Sequence, residues 1–165
     1  MRTLFAILFL LLFLPAQVTT HPTGCDRFLG PPVVEVHSLY DAPPSLTGGW
    51  DTLVVSELRP GDIAVIYLGF FGATTISGTG LPLPLDLGLL VHPSLAGCSI
   101  HTSMDVYVLA AAQPVQVPSG VQWEARAWVY FPPLLPTLTV QALVPDDGPV
   151  GWIWTHNYLQ YSFLD

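Results

Sequence analysis

Val-Gln-Trp-Glu-Ala-Arg-Ala-Trp-Val-Tyr-Phe, residues 121–131, alternates with a period of two. Its odd positions, Val121, Trp123, Ala125, Ala127, Val129 and Phe131, are all apolar, and its even positions are Gln122, Glu124, Arg126, Trp128 and Tyr130. Successive side chains of a strand point to opposite faces, so the odd row belongs to a core and the even row faces outward. The same rule gives Leu138, Val140, Ala142 and Val144 as an inward row against Thr137, Thr139 and Gln141. Leu159, Tyr161 and Phe163 form a third inward row against Tyr158, Gln160 and Ser162.

Outward from these rows, turn residues recur roughly every eight to twelve positions between runs rich in Val, Ile, Thr, Tyr and Trp, which is the spacing of an all-β sandwich or barrel. Further strands are expected at Val33–Leu39, Thr52–Leu58, Ile63–Phe71, Cys98–Thr102, Asp105–Ala110, Val150–Trp154 and Tyr158–Leu164, and no stretch of the mature chain reads as a helix. The whole predicts one antiparallel β-sandwich of about eight to nine strands over residues 33–165. Ile63–Leu68 has no polar parity and is expected to be a central strand covered on both faces. Leu81-Pro82-Leu83-Pro84-Leu85-Asp86-Leu87 is extended but lacks two ladder donors, which assigns it to an edge or a crossover. Arg59-Pro60-Gly61-Asp62 and Asp146-Asp147-Gly148-Pro149 are turn signals, and turn chemistry accounts for the paired carboxylates of the second without calcium.

Arg2, the apolar run Leu4–Leu14 and then Pro15-Ala16 have the order of a secretory signal peptide, with cleavage expected after Ala16 and no later than Thr20. As a helix the apolar run would reach only about 17 Å, short of the roughly 30 Å hydrocarbon core, so no membrane span is expected after its removal. Residues 17–32 then form an extended N-terminal segment carrying Cys25. Lipid attachment at Cys25 is disfavoured, because Pro22-Thr23-Gly24 lacks the usual leucine. The expected destination is extracellular, or the cell surface through a partner.

The chain holds 12 carboxylates, 4 basic residues and no lysine, for a formal net charge of −8. Nucleic acid and anionic membrane surfaces are therefore excluded as partners on electrostatic grounds. Cys25 and Cys98 are the two cysteines, and their spacing fits neither zinc nor redox work. An oxidising compartment favours pairing; two buried thiols are the alternative. A bond would close a loop worth about 4 kcal/mol in the chain-entropy picture.

Thr23-Gly24-Cys25, Arg59-Pro60-Gly61-Asp62 leading to Tyr67-Leu68-Gly69-Phe70, Leu83-Pro84-Leu85-Asp86-Leu87, Ala96-Gly97-Cys98-Ser99-Ile100, Val140-Gln141-Ala142-Leu143-Val144 and the late Asn157 occur in one order. In this the chain resembles an uncharacterised family of secreted bacterial β-sandwich modules, often found at the C-terminal end of large exported proteins. The resemblance spans nearly the whole mature chain and implies an all-β fold and a Cys25–Cys98 bond. That family has no established activity, so no catalytic residue carries over. The Trp and His content near the C-terminus departs from its pattern.

No nucleophile elbow, zinc-protease helix, phosphate loop or dinucleotide fingerprint is present, and neither cofactor nor metal is implied. His21 is expected in a disordered start and His92 in a loop. Glu35 and His37 fall side by side on the outer side of a strand, without a third ligand in view. A small hydrolase or metal protein would have to be built from His37, His101 and His156, with Asp105 converging on the last two. The aromatics point elsewhere. Trp128 and Tyr130 share a face with Glu124 and Arg126, and Trp152 and Trp154 share another. Aromatic rings at i and i+2 stand about 7 Å apart and make a platform for a sugar ring or an anchor for a protein. The expectation is a non-catalytic secreted module with a structural, adhesive or binding role, its partner an extracellular glycan or another exported protein.

Overall fold

The computed structural model describes residues 17–26, 35–39, 48–70, 73–131 and 137–162. The expected leader, residues 1–16, and the expected strand positions Val33 and Phe163 lie outside the described residues. The fold is all-β. In chain order the elements are β1 (Gln17–Pro22), β2 (Val36–Ser38), β3 (Gly49–Val55), β4 (Ile63–Phe70), β5 (Leu85–Asp86), a single helical turn α1 (Leu87–Leu90) and a 3-10 turn (Pro93–Leu95). Then follow β6 (Ser99–Ile100), β7 (Val106–Val117), β8 (Gly120–Phe131), β9 (Leu138–Pro145), β10 (Trp152–Trp154) and β11 (Asn157–Ser162).

All pairings are antiparallel, and the large sheet has the order β1-β11-β9-β4-β7-β8-β3-β2, with β10 beside β9 and β5-β6 forming a small separate ribbon. Two long strands turn this one sheet into two layers. β7 pairs with β4 over Val106–Ala111 and with β8 over Ala112–Val117, while β8 moves on to pair with β3 over Ala125–Phe131. One layer is therefore β1-β11-β9-β4 and the first half of β7, and the other is the second half of β7 with β8, β3 and β2.

The inward rows meet between the layers. Ala125, Ala127 and Phe131 of β8 are buried, as are Leu138, Val140, Ala142 and Val144 of β9 and Leu159 and Tyr161 of β11. Each fully buried aliphatic or aromatic side chain contributes about 1.5–3 kcal/mol, so these rows hold the layers together. β4 lies centrally between β7 and β9, as expected, but only one of its faces is buried: Ile63 is 47% exposed and Val65 and Tyr67 are half-buried.

Polar groups close the seam where β2 approaches β11. Ser56 N donates to Glu35 O at 3.0 Å, so the neighbouring backbone groups of Val36 face away from β3. The Asn157 amide meets both: its Oδ1 accepts from Val36 N at 2.8 Å and its Nδ2 donates to Val36 O at 2.8 Å. Beside it, the buried Asp51 carboxylate of β3 accepts from Tyr161 OH of β11 at 2.6 Å and from Ser38 Oγ at 2.7 Å. Burial, then the Asp51 charge, push the Tyr161 phenol well above its ordinary range, so it stays a donor.

Four sequence expectations change. Residues 17–22 are the edge strand β1 on β11, with Gln17 opposite Ser162, and His21 stacks on Tyr158 with ring centroids 5.0 Å apart. The first six residues of the N-terminal segment are thus part of the sheet. β7 runs on through Pro114 to Val117, beyond the expected end at Ala110. The Pro-rich crossover contains the short ribbon β5-β6 and the helical turn α1, capped by Asp86, whose side chain accepts from Gly88 N at 2.8 Å. Finally, the polar row of β9 is buried as well. Gln141 donates to Ser99 O and accepts from His101 N, each at 3.0 Å, so the crossover covers it without leaving its amide unpaired.

Cys25 and Cys98 form a disulfide across a sequence separation of 73 residues, which joins β1's continuation to the crossover. The bond excludes lipid at Cys25. Ser99 N donates to Thr23 O at 2.9 Å alongside it. Gly24, at φ 74°, sits where a Cβ would strike the Gly97 carbonyl, which is why a glycine precedes this cysteine.

Candidate functional site

The outward row of β8 presents Trp128, 73% exposed, and Tyr130, 49% exposed. β3 adds a residue that periodicity did not single out. Trp50 stands directly opposite Tyr130, is 57% exposed, and its ring lies 5.3 Å from that of Tyr130 at an interplanar angle of 54°. The Gly48-Gly49 pair ahead of Trp50 reads as a turn in the sequence, which hides the start of β3. Arg126 extends the row, its Nη2 and Nε lying 2.9 and 3.1 Å from Glu124 Oε2. Thr52, opposite Trp128, and Val54, opposite Arg126, complete the neighbouring strand. The result is an aromatic outer face with one ion pair at its end.

Trp152 and Trp154 have different fates. Trp154 is 7% exposed and packs on Tyr67 of β4 with centroids 5.2 Å apart, so it does not join Trp152 in an exposed platform. Tyr67 in turn meets Tyr107, 63% exposed, at 6.1 Å. Trp152, 43% exposed, borders a shallow pocket with Asp26, Ser94, Pro149 and Val150.

His37, His101 and His156 have separate partners. His37 Nε2 lies 3.3 Å from Glu35 Oε2, as their spacing predicts, and the same nitrogen lies 3.1 Å from Ser56 Oγ. A serine hydrolase needs serine on one ring nitrogen and the acid on the other, so this arrangement is not a triad. His101 stacks on Tyr158 at 4.5 Å on a ring that His21 also stacks against, and burial followed by the nearby His21 lowers its pKa. His156 Nδ1 lies 2.9 Å from Asp26 Oδ1. His92 caps its own 3-10 turn through Ser94 N at 3.2 Å.

Asp105 goes elsewhere, accepting from Ser77 Oγ, Ser103 Oγ and Phe70 N. Burial alone would raise its pKa, but these donors together outweigh it and hold the carboxyl below the ordinary range. Among the described residues no three His, Cys, Asp or Glu side chains are grouped to hold a metal. At the Asp-Asp-Gly-Pro turn Gly148 N donates to Asp146 Oδ2 at 3.1 Å, and Asp147 pairs with Arg59 of the other predicted turn.

No family model, curated protein or solved structure matches the chain.

Proposed function

We propose that the chain is a secreted, non-catalytic β-sandwich module that binds an extracellular partner through the aromatic face of β3 and β8. The observation that carries this reading is the exposed row Trp50, Trp128 and Tyr130, three large rings that the fold leaves uncovered on one outer face. Such rings stack on sugar faces at little entropic cost, and glycan is the ligand class for Trp128. Secretion is supported by the leader-like N-terminus and by the Cys25–Cys98 bond, since disulfides persist in oxidising compartments. The motif order shared with secreted bacterial β-sandwich modules supports the same assignment.

Retention on a glycan array, or on immobilised polysaccharide, tests it. Wild type is retained and Trp128→Ala is not; equal retention of the two removes Trp128 as the platform. A protein partner is the second reading, favoured by the tilt of the Trp50–Tyr130 pair and by Arg126 in the same row, a hot-spot composition. In that case glycan retention is absent and Trp128→Ala weakens a protein complex.

A further inference from the structure

The two long strands part from each other, and both leave an edge open. Ala112 N donates to Asp62 O at 2.8 Å, so the even-numbered backbone groups of β7 face β4 and those of Tyr107, Leu109 and Ala111 face the other way. Beyond Ala112 and Ala125 the β7-β8 ladder ends. On β8 the odd residues opposite Val55 to Gly49 are committed to β3, which turns the backbone groups of Arg126, Trp128 and Tyr130 toward the same split. Among the described residues no strand pairs with either wall.

Natural sheets blunt open edges with lysine, proline or bulges. Here the free half of β7 reads Val106-Tyr107-Val108-Leu109-Ala110-Ala111, without a charge or a proline, and Val106, Tyr107 and Leu109 are 58%, 63% and 62% exposed. Between the walls lies an apolar groove, open to solvent and lined by Leu68, Phe70, Val106, Val108, Val129 and Phe131. Unpaired amides beside an apolar groove match the main chain and alternate side chains of an extended peptide.

We propose that the split between β7 and β8 accepts an extended strand from a partner polypeptide, neutral or basic, with apolar side chains at alternate positions. The walls are about six residues long, so the guest segment spans about 20 Å. Charge selects the partner over a second copy. The chain carries a formal net charge of −8, and Asp105 stands at the mouth of the groove, so a second copy would bring like charge against like. The inference rests on backbone pairing and is independent of the aromatic-face reading.

The test uses a capped octapeptide of alternating valine and threonine with an arginine at each end, and a matched version ending in glutamates. Hydrogen exchange of the Tyr107 and Leu109 amides is the readout. The basic peptide is expected to protect both. Methylating alternate amide nitrogens of the peptide weakens protection about tenfold or more in either frame, because one frame faces β7 and the other faces β8. Leu109→Pro removes an N–H that faces the split and, read at the Tyr107 amide alone, has the same effect as methylation. If Leu109→Pro fails to fold, the two methylated frames still decide. The proposal is overturned by absence of protection at about 1 mM basic peptide, by a methylated frame that leaves protection unchanged, or by equal binding of the glutamate-ended peptide. Protection that rises with protein concentration alone, with a doubled mass, makes the occupant a second copy and overturns it too.

Discussion

Replacing Asn157 by alanine opens the seam between the two layers. The side chain is 3% exposed and makes two hydrogen bonds of 2.8 Å to one residue, Val36, whose backbone groups have no β3 partner on that side. Each net bond is worth about 1 kcal/mol, and each buried group left without a partner costs about 1–3 kcal/mol. Because the lost bond and the stranded group describe one event, the two Val36 groups together cost about 2–6 kcal/mol, a large share of a typical domain's 5–15 kcal/mol. Chemical denaturation of the oxidised protein, followed by tryptophan fluorescence, measures it. Gln160→Ala, on the same strand but facing out and bonded only weakly to Ser162 at 3.4 Å, serves as the control and shifts stability by under about 0.5 kcal/mol. An Asn157→Ala midpoint within that same margin of wild type refutes the seam argument.

Acidification provides a second check. The His101 pKa is lowered in the fold, so the folded state favours the neutral ring; its contribution is complete above the unfolded value near 6.5 and is lost as pH falls below it. His101→Phe keeps the stack on Tyr158 without the titration, and the denaturation midpoint between about pH 7.5 and about pH 5 is expected to fall less steeply than in wild type; equal slopes contradict this. Reducing Cys25–Cys98 destabilises by about 2–5 kcal/mol in the same assay, and an unchanged midpoint would show that the staple contributes nothing. Trp154→Ala costs about 3–5 kcal/mol while Trp128→Ala costs under about 0.5 kcal/mol, and the opposite order in thermal melts would reverse their assigned places.

Alternation made most of the core legible: in β9, β11 and β8 from Ala125 onward one polar or aromatic row set against one apolar row located the inward face directly, whereas Val121, beside the β7-β8 turn, is 54% exposed. It fails where its assumption fails. Gln-Val-Thr-Thr-His-Pro carries no core row because β1 is an edge strand whose role is to pair, so it looks like an unstructured start. Ala110-Ala111-Ala112 and Pro114 argue against a strand locally, yet pairing first with β4 and then with β8 carries β7 through them. Thr139 and Gln141 look like a wet face because polarity marks exposure only until another layer supplies hydrogen bonds. Within the candidate site, Trp128 and Tyr130 were readable from parity, whereas Trp154 was not, since nothing local says that Tyr67 lies above it. Trp50 and the open edges depend on which strands become neighbours, and only the topology decides that.

The pairing of β1 with β11 places Gln17 opposite Ser162, so tension applied at these two positions peels the strands apart one rung at a time instead of shearing them. Such a zipper yields at low force. The peeling front reaches Pro22 opposite Asn157 and, three residues later, meets Cys25, covalently fixed to Cys98. Under load the module would therefore surrender β1 as slack, after which the disulfide hands the load to the crossover and the body of the sheet.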